Sequence, residues 1–292
     1  MRMVDVPGLI EAVSPISHNG SEKTGNVPIL REVACWDAEQ GKRVTVPYLS
    51  GNAIRGILRR LIMRDMIETL NYEVQSRKLH HALYSGGNLE STDDNTGVID
   101  IALRTQIRDT IPALGVLGTA IGNQMLPGCL IDELAMPVCR ERRRYLSESL
   151  LSDPRVAVRA EQHVRTFTDF VYATRRDDLH AERDADEQAQ QMLIEFQTFI
   201  PGTLFTHGFR LEEPSTLEAS CLGRMIDLWM AKPFVGGKSG SGHGHVRLQY
   251  ENKPDGAIYV AYLHEKAGDV HDVLGTLASR LEPPKTEKRA RK

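Results

Sequence analysis

The sequence predicts an α+β fold. Three observations carry that prediction: short β-branched runs that read as paired strands, a few helical runs with apolar residues at three- and four-residue steps, and no internal repeat at solenoid periods. With 292 residues and 41% apolar side chains, the chain can bury the core of one large domain or two small ones.

Taken in order, residues 4–13 are β-branched and interrupted by Pro7 and Gly8, which predicts a bulged or two-part strand. A polar loop at 17–25, SHNGSEKTG, leads to a strand at 27–33, and VTVPYL at 44–49 forms another. The clearest helix follows. Ser50 and Asn52 are candidate N-caps, and Ile54, Ile57, Leu58, Leu61, Ile62 and Met66 make a buried stripe, with Arg55, Arg59 and Arg60 off it. Residues 71–110 are polar, hold the turn-forming stretches SGGN and TDDNTG, and read as an insertion partly without regular structure. Apolar sequence returns at 111–118, and CLIDELAMPV at 129–138 alternates like a strand of the core sheet.

Residues 140–176 hold nine arginines against five acids, and 177–187 then hold six acids against one arginine, the pattern of a solvated connector or helix start. Residues 195–211 read as two strand segments around a Pro-Gly break, and 216–230 as a helix closing at Pro233. Strands are expected at 245–250 and 257–264, then a helix near 270–280. A basic tail, KTEKRARK, is expected to be disordered.

The 36 Lys plus Arg against 39 Asp plus Glu leave a formal charge of −3, so no global positive field draws the surface onto nucleic acid, and any anion site must be local. No apolar run approaches the roughly 18 residues of a membrane helix, and the N-terminus lacks a signal-peptide pattern, so a cytoplasmic protein with no membrane partner is expected. Cys35, Cys129, Cys139 and Cys221 are scattered without C-x₂-C pairing and read as reduced and structural.

The most specific local feature is GGKSGSGHGH at 236–245, with five glycines at Gly236, Gly237, Gly240, Gly242 and Gly244. Glycine lets backbone amides turn toward an anion, and Lys238 adds a point charge, which suits a phosphate; a flexible turn would look the same. A P-loop would require glycine where Lys232 stands, and both P-loop and dinucleotide motifs follow a strand and open a helix, whereas this loop follows a helix and feeds a strand. ATP and NAD are thereby disfavoured, and no cofactor is expected. His243 and His245 lack a third ligand, so no metal is expected either. GHGHVRL is faintly like the RNA-binding strand of an RRM, with those two histidines where rings would stack on bases.

Arg55 and Arg59 sit one helical turn apart, a spacing that grips consecutive phosphates or belongs to a solvated helix face. In RTFTDFVYATRR, Arg165, Arg175 and Arg176 interleave with Phe167, Phe170 and Tyr172, as in single-strand binders or in an amphipathic hairpin packed on a neighbour. There is no G-x-S-x-G, no H-E-x-x-H and no close carboxylate pair, so enzyme chemistry is not advertised.

The order of these pieces, an SHNGSEKTG-type loop, PYLSGNAIRGILRR, IPGTLF, a helix and GGKSGSGHGHVRL, resembles the CRISPR-associated RAMP superfamily, specifically the Cas-seven-like backbone subunit that polymerises along crRNA. IPALGVLGTAIGNQMLPG and AMPVC look most like type IV effector backbones, with type I and type III membership left open. The resemblance implies one modified RRM or ferredoxin-like palm over 1–292, a finger-like insertion at 71–110, a thumb-like one at 139–190 and the tail at 281–292. It places Ser50, Asn52, Arg55 and Arg59 at the helix start that holds the guide backbone, and Gly236, Gly237, Lys238, Ser239, Gly240, Gly242 and His243 on the loop facing the same strand. Arg165, Phe167, Phe170, Arg175 and Arg176 would furnish the thumb. The implied partners are crRNA, a target strand (DNA ahead of RNA), further copies in a filament and other effector subunits.

Target-cutting relatives carry an Asp where local alignment places Asn26, and an amide cannot serve as a carboxylate base, so a subunit that holds target without cutting is expected. Asp37 and Glu22 lie close enough in sequence to substitute. Two rival readings stay open. In one, the chain is a RAMP-type endoribonuclease that processes repeat RNA with His18 as general base; in the other, it is a structural module whose glycine loop docks protein.

Overall fold

The structure is a computed structural model that describes residues 2–87, 100–122, 124–176 and 191–281. The chain opens with strands β1 (Met3–Ala12), β2 (Asn19–Thr24), β3 (Val27–Leu30), β4 (Glu32–Asp37) and β5 (Lys42–Pro47), followed by the long helix α1 (Gly51–Leu70). Helices α2 (Arg77–Ser85), α3 (Ile101–Thr110) and α4 (Pro112–Leu117) come next, then the short strands β6 (Thr119–Ile121), β7 (Gln124–Leu126), β8 (Leu130–Asp132) and β9 (Met136–Pro137). A 3₁₀ turn at Arg140–Tyr145, helices α5 (Glu148–Leu151) and α6 (Pro154–Ala160), and a second 3₁₀ turn at Val164–Phe167 lead into the hairpin β10 (Thr168–Arg176) and β11 (Gln191–Phe199). The chain closes with β12 (Leu204–Glu212), α7 (Thr216–Ala231), β13 (Val246–Tyr250), α8 (Ala257–Glu265) and α9 (Ala267–Leu281).

The fold is α+β with antiparallel pairing throughout. Its central sheet runs β13-β1-β12-β8, with β9 also on β12; in chain order its strands are β1, β8, β9, β12 and β13, with α1 to α4 between β1 and β8 and α7 between β12 and β13. Alternation along β1 puts Val6 and Ile10 on one face, in register with Phe209 and Phe205 of β12. That face meets Ile54, Leu58, Ile62 and Met66 of α1, Met225 and Trp229 of α7, and Tyr259 of α8 in one buried cluster. Leu9 and Leu204 point the other way and pack with Val138, Leu146, Val156 and Ala160 beneath α6. All four cysteines are free, as expected, and three of them are buried.

Several expectations are corrected. The first strand is one uninterrupted ladder, with Met3 to Glu11 opposite Glu212 to Leu204. Pro7 stands where pairing with β13 ends. Gly8 is required because a Cβ would enter the Tyr250 ring, which lies across the strand. The run at 27–33 divides at Arg31, with β3 pairing β2 and β4 pairing β5.

The 71–110 insertion holds two helices. They are short and polar on their outer faces, but Ser76 Oγ and Asp100 Oδ1 accept from the amides of Leu79 and Leu103 as N-caps. Of that insertion, 88–99 lie outside the described residues. The expected strand at 129–138 is broken into β8 and β9, both on β12. Residues 257–264 form α8 instead of a strand: Tyr259 and Leu263, one turn apart, are its buried pair, and Asp255 Oδ1 accepts from the Ala257 amide at its start. The acidic stretch at 177–187 and the basic tail fall outside the described residues.

Candidate nucleic-acid interface

Ser50 caps α1, its Oγ accepting from the Ala53 amide at 3.3 Å, while Asn52 is exposed on the first turn. Residues 17–19, some thirty positions earlier in the chain, clip three elements together. His18 Nε2 accepts the Ser50 amide at 3.1 Å, and the Ser17 carbonyl accepts the Gly237 amide at 2.8 Å. Asn19 Nδ2 donates to the Gln197 carbonyl at 3.0 Å. The N-terminus of α1, the glycine loop and the base of β11 are therefore held in one place by a single tripeptide.

The glycine loop is a folded turn. Gly236, at φ +79°, has no room for a Cβ because the Ser17 carbonyl occupies that space, and Gly244, at φ +83°, is closed by the Val235 carbonyl. The amides of Gly237, Ser241, Gly242, His243 and Gly244 all donate to protein carbonyls. Those five amides are taken up within the fold itself. Lys238, itself in the left-handed region at φ +62°, lays its ammonium 4.1 Å from the centre of the Phe196 ring. His243 packs against the same Phe196 ring with ring centres 5.5 Å apart, and His245 against Phe234 at 5.4 Å. Among the described residues no group of three His, Cys, Asp or Glu side chains gathers to hold a metal. Gly240 and Gly242 are exposed with open space around them.

The two halves of the expected site do meet, but through a different face of α1. Ile57, Arg60, Leu61 and Arg64 line one wall of a cavity of about 210 Å³, and Lys232, Phe234, Gly236 and Ser239 line the other. Arg60, Arg64 and Lys232 are exposed, and none makes an ion pair with a described carboxylate. Three free cations thus converge there, with Lys238 on the adjoining loop.

Arg55 and Arg59 serve the interior instead. Arg59 is only 7% exposed. Its guanidinium donates to the carbonyls of Gly118 at 2.7 Å, Leu117 at 3.1 Å and Leu83 at 3.4 Å. Burial, then the nearby Arg55 charge, lowers its pKa to about 10, so it remains protonated at neutral pH. Arg55 donates to the carbonyls of Leu130 and Leu117. The two arginines close the chain ends entering β6 and β8. Arg60 lies about 100° further round the helix from Arg59, which separates the cavity wall from the buried face.

The remaining predicted residues divide. Phe167 is a core residue, buried with Val46, Met136, Cys139 and Val164, so its ring is not available to a ligand. Arg165 is exposed on the adjoining 3₁₀ turn, and Phe170 is exposed on β10; the side chains of Arg175, Arg176 and Glu22 lie outside the described residues. Asn26 is exposed in the two-residue turn between Thr24 and Val27. Asp37 is buried, with Oδ1 accepting the amides of Glu39 and Gln40 at 3.0 Å, an Asx-type closure of the β4–β5 turn. His18 is 9% exposed and burial, reinforced by Arg31, lowers its pKa to about 4; its Nε2 lone pair is occupied by the Ser50 amide. Missed by the sequence reading were Arg64 and Lys232, while Arg60 was noted only as lying off the apolar stripe. The signal for this face was present as a second i, i+4 arginine pair, Arg60 and Arg64, beside the apolar pair Ile57 and Leu61.

Among the described residues no helix is long and apolar enough to cross a membrane. Neither a protein-family model nor a curated protein sequence matches the chain. Solved structures do: a chain of the "Type IV-B CRISPR Complex" superposes with a TM-score of 0.61, covering 85% of this chain and 91% of that one at 19% identity. This protein has the fold of a subunit of a type IV-B CRISPR complex.

Proposed function

We propose that the chain is a guide-RNA-binding backbone subunit of a type IV-like CRISPR effector. Several copies would line a crRNA in the cytoplasm and present it, with other effector subunits, for pairing with a target strand, DNA ahead of RNA. The observation that carries this reading is the shared cavity between α1 and the 232–239 segment, where Arg60, Arg64 and Lys232 converge without carboxylate partners on a chain whose net charge is −3. Phosphate is the ligand such a site selects, and it confers affinity without sequence preference, as a subunit that must accept any guide requires.

Further support comes from threading. With the two-residue β9 set aside, the sheet's strands numbered in chain order run 4-1-3-2, with α1 following the first and α7 the third, the order of a ferredoxin-like or RRM-like palm, and α2 to α4 are added between α1 and the second strand. The β10–β11 hairpin fits the thumb role, since Phe170, Tyr172 and Leu193 are exposed on one face of it. In this reading Lys238, Ser239, Gly236 and Gly237 flank the guide, Gly240, Gly242 and His243 complete the turn beside it, and Ser50 and Asn52 begin the helix that borders it. Arg55 and Arg59 act from behind by fixing the helix.

The chain holds its target without cutting it. That part of the reading rests on Asn26 at the position of an acid in cutting relatives, on the burial of Asp37 with its Oδ1 held by its own turn, and on the occupied lone pair of His18. The test is co-expression with a repeat-bearing array. The purified protein should carry RNA of guide length, and the Arg60→Ala, Arg64→Ala double variant should carry several-fold less while remaining folded. Equal RNA content in the two proteins would overturn the assignment of the cavity, and specific cleavage of repeat or target RNA lost in His18→Ala would overturn the non-catalytic reading.

A further inference from the structure

We propose a second surface for single-stranded nucleic acid, built on the β4–β5 hairpin and the 3₁₀ turn at Val164–Phe167. It shares no residue with the α1 cavity and does not rest on the guide-binding reading.

The hairpin divides its side chains cleanly. Val33, Cys35, Val44 and Val46 face inward onto Met136, Cys139, Val164 and Phe167. Alternation then turns Trp36 and Arg43 outward, and the register pairs these two directly across the strands. Trp36 is 54% exposed, whereas the other tryptophan, Trp229, is fully buried. The exposed indole stands on a fixed support: the Tyr145 hydroxyl donates to the Trp36 carbonyl at 2.8 Å, and Asp37 closes the turn beside it. The Tyr145 ring is 56% exposed.

Arg43 also borders a concavity of about 450 Å³, with Lys42, Thr45, His163 and Arg165 around it. Lys42, Arg43 and Arg165 are exposed and make no ion pair with a described carboxylate. The acid in that lining, Glu141, has its oxygens occupied by hydrogen bonds: it accepts from the Val164 amide at 3.0 Å and from His163 Nε2 at 3.0 Å. Three unpaired cations and an adjoining exposed indole are what a strand with free bases needs, phosphates going to the cations and a base to the ring. A duplex would use the cations and leave the indole idle. An acidic protein would do the same. Because either RNA or DNA offers this chemistry, the experiment separates them.

Trp36 supplies its own reporter, since Trp229 is shielded. The full-length Arg60→Ala, Arg64→Ala protein, freed of co-purified nucleic acid in high salt, is titrated with short oligo(U), oligo(dT) or polyglutamate while indole emission is followed. Oligonucleotide should quench the emission, and Trp36→Phe should abolish the signal. Adding Arg43→Ala and Arg165→Ala should weaken binding roughly tenfold and lower the slope of log affinity against log salt by about 1.4. Quenching by oligo(U) alone assigns RNA; quenching by both assigns any single strand. The proposal is overturned if the oligonucleotides fail to bind this protein, bind without changing the emission, or bind equally after loss of Arg43 and Arg165. It is also overturned if polyglutamate quenches as well as they do. Loss of guide RNA in the Arg60, Arg64 variant bears only on the first site, so the two readings fail separately.

Discussion

Arg59 Nη2 donates to the Gly118 carbonyl at 2.7 Å, which turns one of the expected guide-binding arginines into a structural brace between α1 and the chain entering β6. Removing it takes the guanidinium donor from the carbonyls of Leu83 and Gly118 and leaves Leu117 only the longer bond from Arg55. Arg59→Ala should therefore cost about 2–4 kcal/mol of stability, whereas exposed Arg60→Ala should change it by less than about 0.5 kcal/mol. Denaturant midpoints of the two variants, compared at equal m-values, check this. An Arg59→Ala protein as stable as the parent would show that the brace is not needed.

The complementary prediction concerns binding. Arg60→Ala with Arg64→Ala should reduce affinity for unrelated guide sequences to the same extent. It should lower the slope of log affinity against log salt by about 1.4, the share of two phosphate contacts on a single strand. Filter binding of several RNA sequences across a salt series measures both quantities. A loss confined to one sequence would point to base reading instead of phosphate contact.

The contrast between these arginines marks how far the sequence can be read. That residues 51–70 form a helix follows from Ser50 and the apolar period, and the structure agrees. Which arginine pair faces the glycine loop does not follow, because Arg55/Arg59 and Arg60/Arg64 have identical spacing. The choice is made by the chain around Leu117 and Gly118, 58 and 59 residues beyond Arg59, which covers one side of the helix. Met63, fully buried one turn beyond Arg59, was the local clue that this side is covered. The 257–264 stretch failed for a different reason. AIYVAYLH is apolar nearly throughout, so it shows neither period, and only Asp255 before it signalled a helix start. The glycine loop was legible as a special place, but the collisions that make Gly236 and Gly244 necessary involve Ser17 and Val235, contacts that no spacing rule displays.

His18 gives a pH prediction. Its folded pKa of about 4 lies below the ordinary 6.5, burial being the larger cause and Arg31 the second. Between those values the unfolded chain binds a proton at His18 that the folded chain does not. Stability is thus complete above pH 6.5 and falls as pH drops toward 4, by at most about 3 kcal/mol from this residue. His18→Gln offers a neutral acceptor to the Ser50 amide and cannot take up that proton. Its stability should decline less steeply than the parent's across this window, and superimposable pH profiles would refute the assignment.

Gly236 and Gly240 separate a built turn from a merely flexible one. At Gly236, alanine meets both a positive φ of +79° and the Ser17 carbonyl, so the loop must pull away from the 17–19 clip. At Gly240 a Cβ meets nothing within 4 Å. Gly236→Ala should cost about 1–3 kcal/mol and, by moving Lys238 and Ser239 away from Arg60 and Arg64, weaken RNA binding beyond the stability loss. Gly240→Ala should leave both properties near the parent values. If flexibility were what the five glycines supply, the two substitutions would act alike. Paired melting and binding measurements on the two variants therefore decide whether the loop positions its cations through a fixed shape, and unequal effects in the stated order are the expected result.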